Sequence, residues 1–178
     1  MKILLTGAHF TPAAAVVDKL KKYPNTKIVY VGRKTTLEGD SSISQESQIL
    51  PRMGVKFIPI ITGRLQREFS FYTIPSLLKI PVGLVQSLYI ILSERPKVVL
   101  SFGGYVAVPI VAISWLFSIP IIIHEQTSVS GLANKISAFF ADKIALSFNQ
   151  AKLGEKSIFV GNPLRKEITN PVKKIPSE

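Results

Sequence analysis

Short apolar runs alternate along this chain with longer segments whose apolar positions repeat at helical spacing. Ala13, Val16, Val17 and Leu20 would share one face of a helix, with charged residues on the opposite face. The short runs are apolar at nearly every position, as in strands of a parallel sheet that helices cover on both faces. The pattern predicts strands over residues 2–6, 27–31, 55–60, 98–101, 119–123, 143–147 and 157–160, with helices between them.

Alternating strands and helices predict right-handed crossovers, and therefore an α/β fold with a doubly wound, mostly parallel, Rossmann-like sheet. Ligands of such sheets bind beyond the carboxyl ends of the strands, where loops from neighbouring strands meet. Residues 106–123 carry no charge and have the length of a membrane span. Pro120 and the β-branched run after it favour a buried helix followed by a buried strand instead.

The charge of the chain favours anionic partners. Its 178 residues include 22 Lys and Arg against 11 Asp and Glu, which gives a formal net charge of +11. Phosphorylated ligands and acidic membrane surfaces fit such a surplus. Nucleic acid is not predicted as a partner, because the basic residues are spread along the chain and do not alternate with aromatic residues. The sequence contains no cysteine, which excludes thiolate metal sites and cysteine nucleophiles.

The first strand leads into a loop with the sequence Thr-Gly-Ala-His at residues 6–9. A glycine lets the backbone approach a ligand closely, and the N–H groups of the helix that follows favour an anion. The loop lacks the GxGxxG pattern of dinucleotide-binding sites. His9 is one of two histidines and is placed to act as a general base, although a structural hydrogen-bonded role stays open.

Two further loops carry candidate site residues. Gly103 and Gly104 follow a strand and precede a helix, where their backbone amides suit an anion. Tyr105 either hydrogen-bonds a ligand or caps the core. His124 and Glu125 follow the most apolar strand, where polar side chains serve a ligand or lock neighbouring loops.

Residues 64–92 combine basic residues with aromatic and aliphatic ones. Arg64, Arg67, Phe71, Leu78 and Lys79 would seat the protein on an anionic membrane surface. Part of the segment must also belong to the core. The positions with the spacing of a helix that covers the sheet are Leu84, Leu88, Ile91 and Leu92.

Four loops, taken together, resemble the N-terminal half of the MurG-like glycosyltransferases of family 28. The resemblance rests on residues 6–9, 102–106, 124–126 and 161–165, the last with the sequence Gly-Asn-Pro-Leu-Arg. It covers nearly the whole chain, with order and spacing in agreement. It implies a GT-B enzyme that transfers GlcNAc from UDP-GlcNAc to a lipid-linked diphosphate acceptor, lipid I, at the cytoplasmic face of the membrane. It also implies inversion at the anomeric carbon and no protein-bound metal or other cofactor.

The resemblance assigns roles by position. His9 would be the catalytic base for the acceptor 4-hydroxyl. The donor side would be formed by Thr6, Gly7, Ala8, Thr127 and Arg165, and the acceptor cleft by Gly103, Gly104, Tyr105, Glu125 and Gln126.

The sequence departs from the family pattern in three ways. Ala8 stands where the family has a glycine, and Thr127 stands where it has an asparagine. Nothing resembles the uridine-binding domain. We therefore expect residues 1–165 to form the acceptor domain and residues 166–178 a linker or tail. We expect the donor domain to be lost or to act in trans, so that this chain by itself is inactive.

One alternative is a non-catalytic module that binds lipid-linked or phosphorylated ligands at a membrane surface. A nucleotide-dependent oxidoreductase is disfavoured, because the dinucleotide fingerprint is missing.

Overall fold

The computed structural model describes residues 1–35, 42–63, 73–149, 151 and 153–165, with the backbone alone for residues 73–77. Strands and helices alternate through these residues, as the apolar pattern predicted. The elements are β1 (Lys2–Thr6), α1 (Phe10–Leu20), β2 (Lys27–Gly32), α2 (Gln45–Arg52), β3 (Lys56–Pro59), α3 (Thr73–Glu94), β4 (Val98–Ser101), α4 (Ala107–Leu116), β5 (Ile121–Glu125), α5 (Leu132–Phe140), β6 (Lys143–Leu146) and β7 (Ser157–Phe159).

The seven strands form one parallel sheet in the order β3-β2-β1-β4-β5-β6-β7. The chain builds outward from β1 to β3, crosses to β4 beside β1, and then builds toward the opposite edge. The predicted doubly wound, Rossmann-like fold is confirmed. The strand order reverses between β1 and β4, so the loops after these two strands meet at the switch point where ligands bind in such sheets.

The core has one apolar cluster on each face of the sheet. Phe10, Ala13 and Val17 of α1 pack with Leu50 of α2 on one face. The other cluster is formed mainly by α3, α4 and the central strands, with residues Leu4, Val31, Ile90, Ile91, Val99, Ile110, Val111 and Ile123. Both faces of the sheet are therefore covered, which explains why its strands read as continuous apolar runs.

One predicted strand boundary was wrong in a way that affects the site. The fifth strand was predicted over residues 119–123, with His124 and Glu125 just beyond it. β5 instead pairs His124 with Ala145 and Glu125 with Leu146 of β6. The ladder continues past the apolar run because the backbone groups of β6 are available as partners, so both polar side chains project from the strand itself.

The uncharged segment at residues 106–123 is confirmed as a helix followed by a strand, α4 and β5. α3 runs over 22 residues and continues through Pro81 and Gly83. A Cβ on Gly83 would lie 3.0 Å from the carbonyl oxygen of Ile61, so glycine lets α3 approach the loop after β3 closely. Among the described helices, none combines the length and the apolarity needed to cross a bilayer.

Candidate functional site

The loops after β1 and β4 are joined backbone to backbone. Ala8 N donates to Gly103 O over 3.0 Å, and Phe102 N donates to Thr6 O over 2.7 Å. Gly7 has φ of +139°, and a Cβ there would lie 2.7 Å from the carbonyl carbon of Phe102. Glycine at position 7 is therefore required by the contact between two loops, whether or not a ligand approaches it.

The two glycines of the second loop are required for the same reason. Gly103 and Gly104 have φ of +71° and +79°, in the left-handed region. A Cβ on Gly104 would lie 2.7 Å from the Cβ of Ala8. The alanine that replaces a family glycine at position 8 thus fits because its neighbour in the second loop has no side chain.

Glu125 lies fully buried at the end of β5 and accepts hydrogen bonds on both carboxylate oxygens. Oε1 accepts from the backbone N of Thr127 over 2.9 Å and from its hydroxyl over 2.6 Å. Oε2 accepts from Asn134 Nδ2 over 2.8 Å. Of the two roles left open by the sequence, this geometry favours the locking of neighbouring loops.

Asn134, in α5, is a site residue that the sequence analysis missed. Its buried amide connects Glu125 with the second glycine loop, since a Cβ on Gly103 would lie only 2.5 Å from Asn134 Oδ1. The available signal was a polar residue at a position that shares a helix face with Ser137, and both residues are buried in the fold. That signal indicates burial but does not identify the partner.

His9 and Gln126 meet across the site although 117 positions separate them in the chain. Gln126 Nε2 lies 2.5 Å from His9 Nδ1, which joins the first loop to the third. Burial lowers the pKa of His9, and the opposing effect of the Glu125 charge is smaller. The imidazole is therefore neutral at pH 7, as a general base must be before it accepts a proton.

His124 is the other histidine of the chain, and of the two roles left open for it, the structure favours the structural one. Its ring is buried beside Phe102, with ring centroids 5.7 Å apart, and its Nε2 lies 3.0 Å from Ser147 Oγ. Burial is the main cause that lowers the pKa of His124. A buried, neutral and partnered histidine packs the sheet edge under the site.

A cavity of about 530 Å³ opens beside the first loop. His9, Gln126 and the start of α1 form one side of it, and the segment from β2 to α2 forms the other. Arg33 and Glu46 line this second side, and the sequence analysis missed both. Burial raises the pKa of Glu46, partly opposed by the nearby charge of Arg33. The cavity thus contains groups able to bind both donors and acceptors of hydrogen bonds.

Arg33 also holds Tyr105. Its Nη1 donates to the Tyr105 hydroxyl over 2.7 Å, and its guanidinium carbon lies 5.2 Å from the centre of the ring. The tyrosine ring packs against the apolar cluster at the same time. Tyr105 therefore caps the core and presents its hydroxyl to an arginine, which combines the two interpretations left open by the sequence.

The remaining predicted donor-side residues occupy different places. Arg165 lies over the ring of Phe10 at the start of α1, with its guanidinium carbon 5.0 Å from the ring centre. The fourth loop therefore reaches the first. Thr127 is exposed next to Glu125. Thr6 is fully buried, and its hydroxyl has no hydrogen-bond partner among the described residues, whereas its carbonyl oxygen accepts from Phe102 N.

A smaller apolar cavity of about 90 Å³ lies on the other side of Tyr105. It separates α3 from the starts of α4 and α5. The tyrosine thus stands between the second glycine loop and this apolar cavity. The apolar side chains that line it are Ile80, Leu84, Val108, Pro109, Leu132 and Ala133.

The predicted membrane residues lie only partly within the described part of the chain. Arg64, Arg67 and Phe71 lie outside the described residues, whereas Leu78 is 70% exposed and Lys79 is half-buried. Further along α3, the exposed side forms a stripe of apolar residues with helical spacing. Its members are Leu78, Val82, Val85, Tyr89 and Leu92. Leu92 was predicted to cover the sheet but is 50% exposed, whereas Ile91 beside it is buried.

A doubly wound sheet whose strand-end loops close on a polar cavity at the switch point defines a ligand-binding α/β domain of the Rossmann-like class. Residues 6–146 match the glycosyltransferase family 28 N-terminal domain. The chain belongs to this family.

Two curated relatives illustrate how much of the chain is matched. The UDP-N-acetylglucosamine--N-acetylmuramyl-(pentapeptide) pyrophosphoryl-undecaprenol N-acetylglucosamine transferase of Borreliella burgdorferi is 33% identical over 175 residues, covering 96% of this chain and 46% of the relative. The enzyme with the same name from Caldicellulosiruptor saccharolyticus is 39% identical over 168 residues, covering 92% of this chain and 43% of the relative. The chain thus spans about half the length of the curated relatives it matches.

Solved structures support the fold. The crystal structure of MurG from Acinetobacter baumannii matches with a TM-score of 0.72 at 20% identity, covering 96% of this chain and 48% of that one. A UDP-N-acetylglucosamine 2-epimerase matches with a TM-score of 0.58 at 17% identity, covering 91% and 48%. At this level of identity, both matches concern the architecture alone.

Proposed function

We propose that this chain is the acceptor-binding half of an inverting GlcNAc transferase that converts lipid I into lipid II. The observation that carries the proposal is the meeting of His9 and Gln126 at a polar cavity, in a chain of family 28 whose relatives bear this activity in their names. Residues 1–165 would be the acceptor domain and residues 166–178 a linker. A UDP-GlcNAc-binding half, on the same or another polypeptide, would complete the enzyme.

The cavity offers a route to acid–base chemistry. His9 is neutral at pH 7 and lines the cavity, so it would take the proton of the acceptor 4-hydroxyl as that oxygen attacks the anomeric carbon. UDP leaves from the opposite face of the sugar, which accounts for inversion. UDP-GlcNAc is a substrate in this scheme, and we propose that no protein-bound metal or cofactor takes part.

Two helix N-termini suit the diphosphates of the two substrates. α1 and α4 begin without a side-chain cap and without an acidic residue in their first turns. Free N–H groups at such ends bind anions, and both helices follow glycine-containing loops at the switch point. At α4, Ala107 N already donates to Gly104 O and Pro109 has no N–H, so α1 supplies the main part of this argument.

Gly7, Ala8 and Thr127 would face the donor, with Arg165 beside the start of α1 as a cationic neighbour. Thr6, predicted with them, is fully buried and would support the loop through its carbonyl oxygen, which accepts from Phe102 N.

The apolar cavity beside Tyr105 supports an acceptor that joins a diphosphate to a lipid. Gly103 and Gly104 would approach the diphosphate, and Tyr105 would mark the boundary between the polar and apolar parts. Glu125 and Gln126 would maintain the shape of the cleft.

The exposed apolar stripe on α3 supports a peripheral position at the cytoplasmic face of the membrane. Amphipathic surfaces of this kind bury their apolar side chains at the lipid boundary and gain from nearby basic residues on an anionic leaflet. Leu78 and Lys79 would belong to this surface. Arg64, Arg67 and Phe71 lie outside the described residues and stay membrane residues predicted from the sequence alone.

Reconstitution tests the catalytic proposal. The chain would be combined with the donor half of a family relative, in trans or as a fusion, and assayed for GlcNAc transfer to a lipid-linked diphosphate acceptor. We expect transfer only with both halves present, and its loss in His9→Ala. Lys19→Ala, on the outer side of α1, is the control and should retain activity. Full activity in His9→Ala would remove His9 as the base.

The same stripe on α3 keeps a non-catalytic membrane module as the second candidate. That function predicts salt-sensitive binding to anionic liposomes together with no transfer in any reconstituted pair. Transfer in the reconstituted enzyme would exclude it.

A further inference from the structure

The contact between Gln126 and His9 bears on which ring nitrogen of the histidine carries the proton. A side-chain NH2 group donates and has no acceptor capacity, whereas the Oε1 of the same amide only accepts. Gln126 Nε2 faces His9 Nδ1 at 2.5 Å, and with the amide in this orientation Nδ1 is the acceptor and is unprotonated. In a neutral imidazole, the proton then lies on Nε2.

The second ring nitrogen of His9 remains available to a ligand. Among the described residues, none bonds to His9 Nε2, and this atom is not one of the buried atoms without a partner. The ring lines the 530 Å³ cavity. The histidine thus meets the ligand space through Nε2 while its Nδ1 is held by the glutamine.

We propose that Gln126 is a positioning residue that holds ligand-free His9 in the Nε2–H tautomer. In this state the available nitrogen donates a hydrogen bond, which suits a phosphate or hydroxyl oxygen, and it has no lone pair with which to accept a proton. His9 becomes a base at Nε2 only when Gln126 turns its amide by half a turn. The ring then loses the Nε2 proton to solvent and takes up a solvent proton at Nδ1. Nδ1–H donates to Gln126 Oε1, and Nε2 is left with a free lone pair.

The consequence for catalysis rests on the proposed function, whereas the tautomer itself is a property of the chain without substrate. The contact between Gln126 and His9 would therefore separate substrate binding from activation of the base. A ligand that rotates the Gln126 amide would convert His9 from a donor into a base.

Nitrogen-15 NMR tests this directly, because the 178-residue chain contains only two histidines. Long-range proton–nitrogen correlations distinguish the Nε2–H, Nδ1–H and doubly protonated forms of each ring. At about pH 7.5, roughly one unit above the ordinary histidine pKa, we expect His9 in the Nε2–H form. Gln126→Leu should return a mixture of tautomers, and Gln126→Glu, whose carboxylate can only accept, should shift the ring to Nδ1–H.

Two controls accompany the measurement. His124, whose Nε2 contacts Ser147, is the internal reference and should not respond to changes at Gln126. Gln48→Leu, in α2, should leave both rings unchanged. A His9 ring that is Nδ1–H or an even mixture in the unaltered chain would overturn the proposal, and so would a tautomer that Gln126→Leu and Gln126→Glu both leave unchanged. Neither result would depend on whether the reconstituted enzyme transfers GlcNAc.

Discussion

Asn134 donates a hydrogen bond from Nδ2 to Glu125 Oε2 over 2.8 Å, and its amide lies against Gly103 of the second glycine loop. Glu125 in turn accepts from Thr127 of the third loop. Ala8 bonds to Gly103 from the first loop. The first, second and third loops are therefore one connected structure, and Asn134 links it to α5.

Removing the amide of Asn134 should weaken the whole protein. Asn134→Ala leaves one oxygen of a buried carboxylate without its donor, which costs about 1–3 kcal/mol. Urea denaturation should register a loss of that size in the free energy of unfolding. Asn149→Ala, at an exposed position, is the control and should change it by less than about 0.5 kcal/mol. Equal losses in both variants would contradict the role of Asn134.

A matched pair of glycines tests the close packing at the second loop. Gly103 and Gly54 have nearly the same φ, +71° and +74°, so Ala at either position carries similar backbone strain, about 1–3 kcal/mol. Only Gly103 faces a neighbour at 2.5 Å, whereas a Cβ on Gly54 meets nothing within 4 Å. We expect Gly103→Ala to lower the free energy of unfolding more than Gly54→Ala does. Thermal or urea unfolding of both variants gives the difference, and its absence would refute the packing argument.

The pair Arg33 and Tyr105 should show measurable coupling. Tyr105→Phe and Arg33→Gln each remove one side of a 2.7 Å hydrogen bond between the second loop and the wall of the cavity. Because the residues are in direct contact, the double variant should lose less stability than the sum of the single variants, by about 0.5–3 kcal/mol. A double-mutant cycle from urea unfolding measures this term. Strict additivity would mean that the hydrogen bond between Arg33 and Tyr105 contributes nothing to stability.

Glu94 makes stability depend on pH at the opposite end of the sheet. Its carboxylate accepts from Lys56 Nζ over 2.6 Å and from Lys2 Nζ over 3.0 Å. The hydrogen bond from Lys56 is the main cause that lowers the pKa of Glu94 below its usual 4.5. A carboxyl whose folded pKa is lowered stabilises the fold above its unfolded pKa, and this contribution is lost as the pH falls through the folded value.

Glu94→Gln should therefore be less stable than the unaltered chain at pH 7, and the difference should shrink as the pH falls below about 4.5. Unfolding curves recorded from about pH 7 to about pH 3, a range that brackets the usual carboxyl pKa, measure this convergence. Glu155→Gln, at an exposed position, is the matched control and should differ little from the unaltered chain throughout. A difference that stays constant with pH would show that the two lysines do not act through the charge of Glu94.

Strand periodicity and loop position allowed much of this site to be predicted before any coordinates. Local patterns predict the seven strands, the helices that cover them and the sheet edge that carries the site. They do so because the polarity of a residue indicates whether it is buried. His9, Gly103, Gly104 and Tyr105 were found by their place after a strand. The end of β5 was not predicted correctly, because pairing with β6 extends the strand beyond its apolar run.

Asn134, Arg33 and Glu46 escaped detection for a related reason. Each is an ordinary polar residue in its own segment, and its importance comes from a side chain of another element: Asn134 bonds to Glu125 of β5, Arg33 bonds to Tyr105 of the second loop, and Glu46 lies near the charge of Arg33. The pairing of Gln126 with His9 was equally invisible, although both residues had been singled out.

By itself, the sequence determined the architecture and the family, because the spacing of apolar residues and the order of the motifs can be observed along the chain without knowledge of its fold. Only the tertiary structure decided which polar atoms meet: Asn134 with Glu125, Arg33 with Tyr105 and Gln126 with His9. The physical reason is that hydrogen bonds extend over about 3 Å and depend on direction, so folding brings their partners together at a precision that sequence spacing does not carry.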